Sequence, residues 1–193
     1  MKTMFKLSFS LAAYAVVACV ALAFVYNTTD PLIQAGARKE VTDALSALYP
    51  EAVSFEDVTA KVQSGDPKIT FDGVYVAQSE AGVAGIVVKA TGPTYGIATL
   101  MVGIDPDRSI RTVKVLSITD TPGLGTKAAE EPFRGQFDSK SADSAFTVGK
   151  AGSGAEIAAI SGATITSKGF ARIVALSGSR ASEYLSQTNG SAQ

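Results

Sequence analysis

The sequence predicts an α+β protein, with a transmembrane helix at the N-terminus followed by a mostly antiparallel twisted sheet that is flanked by helices. Three observations predict it: an uncharged apolar run near the N-terminus, four short runs rich in β-branched residues, and helical spacing of apolar residues on either side of those runs. The 193 residues suit one domain with an anchor. We therefore divide the chain into an anchor (residues 1–29), a domain (residues 30–185) and a polar tail (residues 186–193).

Composition excludes several classes of function. The chain has 17 Lys+Arg against 18 Asp+Glu, so its net charge of -1 gives no reason to expect a nucleic-acid partner. It has no His and one Cys, which excludes His-based nucleophilic triads, an intrachain disulfide and Cys-rich metal sites. We expect neither a metal site nor catalytic side chains, so redox or group-transfer chemistry would need a cofactor.

The anchor is predicted over Leu7–Val25, within a stretch that has no charged residue up to Thr29. About 20 apolar residues are enough to cross the hydrocarbon core as a helix. Lys2 and Lys6 precede the run, and positive residues favour the cytoplasmic side. The sequence therefore predicts a single-pass protein of the inner (cytoplasmic) membrane with its soluble domain on the extracytoplasmic side.

Two other interpretations of this segment stay open. Ala21-Leu22-Ala23 resembles the cleavage site of a signal peptide, and Val16-Val17-Ala18-Cys19 resembles that of a lipoprotein. The apolar run is longer than the apolar part of a typical signal peptide, and the residues after Cys19 stay apolar. Both facts favour a retained anchor.

A helix is predicted to begin at Asp30-Pro31, because Asp can cap free amides and Pro fits the first helical position. We expect it to continue from the membrane segment and to end at Tyr49-Pro50. Its apolar residues recur at helical spacing: Ile33, Ala37, Val41, Leu45 and Leu48.

Four strands follow, which we expect to pair antiparallel as a meander because their separators are short. The strands lie near Gly73–Gln78, Val83–Ala90, Tyr95–Ile104 and Ile110–Ile118. The separators are Glu80-Ala81-Gly82, Thr91-Gly92-Pro93 and Asp105-Pro106-Asp107. No helix-length segment interrupts these strands, which argues against a parallel sheet of Rossmann type.

A second helix is predicted over Thr164–Leu185, and we expect the polar tail Ser186–Gln193 to be frayed. Gly178 weakens the second half of this helix. One side of it is apolar: Phe170, Ile173, Val174, Ala181, Tyr184 and Leu185.

Small and hydroxyl-bearing residues gather where this helix begins, in Ser161-Gly162-Ala163-Thr164-Ile165-Thr166-Ser167. Free amides and the helix dipole at such a start favour a phosphate group. An ordinary hydroxyl cap would use the same residue types. From the residues alone, both interpretations stay open.

A Gly-rich turn follows the last strand, in Thr119-Asp120-Thr121-Pro122-Gly123-Leu124-Gly125-Thr126-Lys127, and Pro132-Phe133-Arg134-Gly135-Gln136-Phe137 comes next. Pro-Gly is typical of a turn, and the glycines allow the backbone to approach another group closely. A tight strand-to-helix connection explains the same pattern. Lys127 and Arg134 could equally be solvated charges.

Together the two segments resemble a known family. Ile160-Ser161-Gly162-Ala163-Thr164 resembles the flavinylation motif of FMN-binding domains. Thr121-Pro122-Gly123-Leu124-Gly125, with Phe133 and Gln136-Phe137, resembles a segment typical of the G subunit of the Rnf complex. That subunit is similar to the C subunit of the sodium-translocating NADH:quinone reductase. Anchor, strands, turn and motif occur in the family's order, so the resemblance covers nearly the whole chain, and the short chain favours the Rnf subunit.

The resemblance implies a membrane-anchored flavoprotein that relays electrons within an ion-translocating ferredoxin–NAD oxidoreductase, as an electron-transfer subunit rather than a stand-alone enzyme. Its partners would be the other membrane subunits of the complex and a flavin transferase. The transferase would take FMN from FAD and join it by a phosphoester bond to the Thr164 hydroxyl. Thr166 and Ser167 are rival hydroxyls, about 200° and 300° further round the helix, so only one of the three can point into a given groove.

The resemblance also implies which residues surround the cofactor. Thr121 and the Pro122–Gly125 backbone would lie against the flavin, Ser161 would lie near the phosphate, and Lys127 would stabilise the reduced flavin. The predicted cofactor-binding residues are Thr121, Pro122, Gly123, Leu124, Gly125, Lys127, Ser161, Gly162, Ala163 and Thr164.

One position departs from the family pattern. The motif usually carries Asp three residues before the Ser, where this chain has Ala158, and Glu156 is the nearest carboxylate. If the transferase needs that Asp, Thr164 would stay unmodified. Two alternatives therefore remain: an unflavinylated membrane-anchored structural or binding module, and an FMN-domain accessory protein of another respiratory system.

Overall fold

The computed structural model describes residues 2–149 and 156–190. Its helices are α1 (Lys2–Leu48), α2 (Glu131–Arg134) and α3 (Thr164–Gly190). Its strands are β1 (Ser54–Asp57), β2 (Thr70–Ser79), β3 (Gly82–Pro93), β4 (Ile97–Ile104), β5 (Ile110–Ile118), β6 (Thr147–Gly149) and β7 (Glu156–Ala158). Short 3-10 turns occupy Thr59–Lys61, Gly125–Ala129 and Gly135–Phe137.

The chain divides into two units, Met1–Asp43 and Ala44–Gln193. The boundaries that we predict after residues 29 and 185 stay predictions.

The first unit consists of most of α1, which is long and apolar enough to cross a membrane from Lys6 onward, with a mean hydropathy of 2.2 in its apolar window. The predicted helix start at Asp30-Pro31 is wrong, because α1 runs through Pro31 without a break. A proline inside a helix removes one backbone hydrogen bond, and the helical turns on both sides persist. The Asp30 carboxylate accepts a hydrogen bond from Gln34 Nε2 at 2.8 Å instead of capping a new helix.

The second unit is built on a five-stranded sheet in the order β1-β2-β3-β4-β5, with every neighbouring pair antiparallel. The predicted meander is confirmed, and β1 is an additional strand that its sequence, Ser-Phe-Glu-Asp, did not indicate. The predicted separator at Thr91-Gly92-Pro93 is wrong, because β3 extends to Pro93 and the chain turns at residues 94–96. Gly92 serves packing rather than a turn: a Cβ there would lie 2.9 Å from Ile173 of α3.

Helix α3 covers one face of the sheet, and its residues Phe170, Ile173 and Val174 are buried in the main core. The opposite face is covered by the final turn of α1 and by Tyr49, which is 0% exposed. The Tyr49 ring lies against Gly85 and Gly103, where side chains would collide with it or crowd it. Within this unit the sheet therefore has α3 on one face and the last turn of α1 with Tyr49 on the other, and the predicted α+β class is confirmed.

Helix α3 continues five residues beyond the predicted end, so residues 186–190 are helical rather than frayed, and residues 191–193 lie outside the described residues. Along this extension the Ser186 and Thr188 hydroxyls each donate a hydrogen bond to the carbonyl four residues earlier. Gly178, which we expected to weaken the helix, allows close packing, because a Cβ there would lie 2.5 Å from the Ala142 carbonyl oxygen. Strands β6 and β7 form a separate parallel pair that the sequence did not predict.

Candidate functional site

A cleft of about 430 Å³ lies where three segments meet: the β3–β4 turn, the loop after β5 and the first turn of α3. The volume falls within the range of small-molecule sites, roughly 300–1,000 Å³. Its walls combine hydroxyls, glycines and apolar side chains. The lining residues are Tyr95, Thr121, Leu124, Gly125, Gly162, Ala163, Thr164, Ile165 and Thr166.

Behind this wall, the Asp120 carboxylate links the segments that form the cleft. Its Oδ1 accepts hydrogen bonds from the Thr94 hydroxyl at 2.5 Å and from the Gly96 amide at 2.9 Å. Its Oδ2 accepts from the Thr166 hydroxyl and, at 3.3 Å, from the Tyr95 amide. Asp120 is only 4% exposed, so these contacts form a buried polar network.

The network keeps Asp120 ionised. Burial raises the pKa of the Asp120 carboxyl, but hydrogen bonds from Thr166, Thr94 and the amides of Gly96 and Tyr95 outweigh burial, so the pKa lies below its ordinary value. A buried, fully hydrogen-bonded negative charge therefore lies next to the cleft.

The loop after β5 depends on two glycines with different roles. Gly125 is buried, and a Cβ there would lie 2.5 Å from Asp120 Cβ and 2.8 Å from Thr166 Oγ1. Gly123 has φ +75°, a left-handed conformation that favours glycine, with open space around its Cβ position. The Gly123 amide donates to Thr126 Oγ1 at 2.9 Å, which closes the turn.

The three candidate hydroxyls at the start of α3 differ in their surroundings. Thr166 is 1% exposed, and its hydroxyl donates a hydrogen bond to Asp120. Ser167 is 0% exposed, and its hydroxyl accepts a hydrogen bond from the Ile160 amide and donates one to the Ala163 carbonyl. Thr164 is exposed and lines the cleft. Of the three hydroxyls that compete in this turn, only the Thr164 hydroxyl is thus exposed on the cleft.

Apolar side chains are exposed at the cleft. Tyr95 is 69% exposed, Ile165 62% and Leu124 43%. These three side chains come from the three separate segments that form the cleft. Exposed apolar groups around a concave site are typical of binding surfaces.

The segment Pro132–Phe137 has a structural role. The Phe133 and Phe137 rings pack edge-on or tilted against Phe170 of α3, with ring centroids 5.3 and 5.6 Å from it. Arg134 is not simply solvated, because it donates to the Val113 carbonyl and pairs with Glu131.

Gln136 binds the backbone of β7 at the position that departs from the family motif. Its Oε1 accepts from the Ala158 amide at 2.7 Å, and its Nε2 donates to the Ala158 carbonyl at 3.3 Å. The backbone at this position is therefore held by two hydrogen bonds that do not depend on the side chain of residue 158.

The structure brings most of the sequence-predicted site residues together. Six of them line the cleft: Thr121, Leu124, Gly125, Gly162, Ala163 and Thr164. Pro122 and Gly123 are exposed in the same loop, and Ser161 is exposed in the turn before α3. Lys127 is not among the lining residues.

Sequence reasoning missed the roles of Asp120, Thr94 and Thr166, and the contribution of Tyr95. The one feature of the sequence that could have indicated a role for Asp120 is its position, as a lone carboxylate between β5 and the Gly-rich turn. Its partners lie 24 to 46 residues away in sequence, so their identity could not be read from local spacing.

Comparison with known proteins identifies the family of the region that forms the cleft. The FMN-binding domain family matches residues 94–176, a range that begins at Thr94 and ends within α3. Among solved structures, NqrC from Shewanella oneidensis has a TM-score of 0.54 at 20% sequence identity, covering 72% of each chain, which shows the fold alone.

Two relatives match most of the chain. The G subunit of the Na(+)-translocating ferredoxin:NAD(+) oxidoreductase complex of Acetobacterium woodii is 36% identical over 181 residues, 86% of each chain. The G subunit of the proton-translocating ferredoxin:NAD(+) oxidoreductase complex of Clostridium ljungdahlii is 32% identical over 170 residues, 86% of this chain and 85% of the relative.

The family match over residues 94–176 identifies the region that forms the cleft as an FMN-binding domain. The chain belongs to the family of G subunits of Rnf-type ion-translocating oxidoreductase complexes. With its long apolar helix, this membership supports a membrane flavoprotein in electron transport.

Proposed function

We propose that this chain carries FMN covalently on Thr164 Oγ1 and relays electrons within an Rnf-type ferredoxin–NAD oxidoreductase complex, alongside its other membrane subunits. The soluble domain would lie on the extracytoplasmic side, as Lys2 and Lys6 before the apolar run predict. The observation that carries the proposal is the hydroxyl arrangement at the start of α3, where Thr164 is exposed on the cleft and both rivals are buried.

The residues around the cleft suit FMN. The first amides of α3 have no partner within the helix and lie at its positive end, which favours the phosphate of a flavin attached to the first residue. The exposed side chains of Tyr95, Leu124 and Ile165 offer apolar surface to a planar ring. When bound, FMN supplies the redox chemistry, and the protein supplies position and electrostatics.

Attachment would require a flavin transferase. The Thr164 oxygen would form a bond to the FMN phosphorus of FAD, the phosphoanhydride bond would break, AMP would leave, and the hydroxyl proton would pass to a base of the transferase. What supports attachment despite Ala158 is that Gln136 holds the backbone of residue 158 and that the side chain of residue 158 does not line the cleft.

The test is covalent flavin on the full chain after co-expression with a flavin transferase. Thr164→Val keeps the side-chain shape and removes the oxygen, so we expect complete loss of the fluorescent band on a denaturing gel. Thr188→Val is the matched control, since it makes the same substitution at an exposed threonine near the other end of α3, and it should retain the band. Peptide masses should place FMN on Thr164.

A fluorescent band that survives in Thr164→Val would show that the attachment site is wrong. If the parent chain shows no covalent flavin with its own transferase present, the substitution of Ala158 for Asp is decisive. The unflavinylated binding module would then be the better interpretation.

A further inference from the structure

We propose that Asp120 is a positioning residue for the flavin, which joins the three segments of the cleft and lowers the reduction potential of FMN through its fixed negative charge. The inference rests on the function proposed above. It assigns to Asp120 two effects, one of geometry and one of charge, that different substitutions can separate.

The geometric effect follows from the hydrogen bonds of the carboxylate. Asp120 begins the loop after β5, and it accepts hydrogen bonds from Thr94 and Gly96 of the β3–β4 turn and from Thr166 of α3. Each of these three segments contributes lining residues to the cleft. The position of one side chain therefore sets the spacing of all three walls.

Gly125 shows how closely these walls are fitted. Its backbone passes so near the carboxylate that a Cβ would lie 2.7 Å from Asp120 Oδ2. Gly125 and Thr166 both line the cleft, so the carboxylate lies directly behind residues of the cleft wall.

The charge effect follows from the kind of donor. All four donors to Asp120 are hydroxyls or backbone amides, and none carries a charge. Among the described residues, the ion pairs found do not involve Asp120. The negative charge is stabilised but not cancelled by a cation, and a negative charge beside a flavin opposes the addition of electrons.

Asp120→Asn separates charge from geometry. The amide oxygen can still accept from Thr94 and Gly96, and the amide nitrogen can donate to the Thr166 oxygen, so these links between segments persist. The contact from the Tyr95 amide, at 3.3 Å the longest of the four, loses its acceptor. In a redox titration of FMN absorbance on the loaded full chain, we expect a more positive midpoint. At the parent's midpoint, the ratio of reduced to oxidised flavin should rise on the order of tenfold.

Two further variants control for charge. Asp120→Glu keeps the charge, and its midpoint should stay close to the parent value. Asp107→Asn removes an exposed carboxylate from the β4–β5 turn, at the opposite end of β4 from the cleft, and it should leave the midpoint unchanged. A purely structural role would shift the midpoint at least as much in Asp120→Glu, whose longer side chain disturbs the links, as in Asp120→Asn, which retains them.

Gly125→Ala tests the geometric effect, since it keeps the charge but forces a methyl group onto Asp120. We expect at least a threefold lower fraction of covalent FMN in folded protein, measured by the ratio of flavin to protein absorbance after denaturation. Unaltered loading in Gly125→Ala would overturn the geometric part.

The outcomes separate the two proposals. Covalent FMN absent from the parent chain would defeat the proposed function. FMN present, with the Asp120→Asn midpoint unchanged, would overturn the charge role alone. An Asp120→Asn chain that fails to fold would also overturn the assignment, because Asn retains the links that we hold responsible for position.

Discussion

Asp107 and Asp120 use the same hydrogen-bond chemistry for different purposes. Asp107 Oδ1 accepts from the Ser109 hydroxyl at 2.7 Å and from the Ser109 amide at 2.9 Å, within an exposed turn. Asp120 is buried and accepts from partners up to 46 residues away. Hydrogen bonds lower the pKa of both carboxyls. The comparison teaches that a carboxylate shapes either a turn or a tertiary site, depending on how far along the chain its donors lie.

Replacing the two residues with Ala should give the largest difference. Asp120→Ala leaves buried hydroxyls and amides without an acceptor, so we expect the free energy of unfolding to fall by about 3 kcal/mol. Asp107→Ala frees groups that water can reach, and it should change stability little. Urea unfolding of the detergent-purified chain, followed by circular dichroism, measures both. Equal losses would show that burial does not distinguish the two networks.

The two glycines of the loop after β5 sharpen the comparison. Gly125→Ala places a methyl group against the Asp120 network, and we expect a loss of about 2 kcal/mol in the free energy of unfolding. Gly123→Ala meets open space and is opposed only by its φ of +75°, which costs roughly 1 kcal/mol. The same urea titration checks the order, and a larger loss for Gly123→Ala would contradict it.

A pH titration gives the smallest expected effect. The pKa of Asp120 lies below the ordinary value of 3.8, so its contribution to stability is fully present above pH 3.8 and is lost as the pH falls through the lower folded-state pKa. Unfolding midpoints measured down to about pH 2 should therefore decline less steeply in Asp120→Asn than in the parent. An identical acid decline in the two chains would mean that Asp120 does not keep its low pKa.

Much of the fold could be predicted because its signals are local. The strands from Thr70 to Ile118 follow one another with short turns, so pairing neighbours in order was enough. β1 was not predicted, because its four residues are largely exposed and do not show the alternation of apolar and polar residues typical of a strand. Pro31 misled the helix boundary, since proline is typical of a first helical turn, whereas α1 runs through it despite the backbone hydrogen bond that it removes.

The sequence indicated the segments that form the candidate site, but it did not indicate the tertiary contacts that bring them together. The rotation of roughly 100° per residue showed that one hydroxyl among Thr164, Thr166 and Ser167 could point into a groove. Which one does so depends on Asp120, which binds Thr166 across 46 residues. Tyr95 joins the site because β3 extends to Pro93, beyond the end that the sequence indicated, and the turn falls on residues 94–96. Such tertiary contacts leave no periodic trace in the sequence.

The unequal surroundings of the three hydroxyls at the start of α3 have a consequence for chemical selectivity. Thr166 and Ser167 are masked by hydrogen bonds inside the folded domain, as alcohols are masked by protecting groups in synthesis. A reagent that attacks hydroxyls in this helical turn meets Thr164 unprotected. On the function proposed above, folding would precede modification, because an unfolded chain would present all three alcohols alike, and a transferase acting on the folded domain would need no discrimination of its own among them.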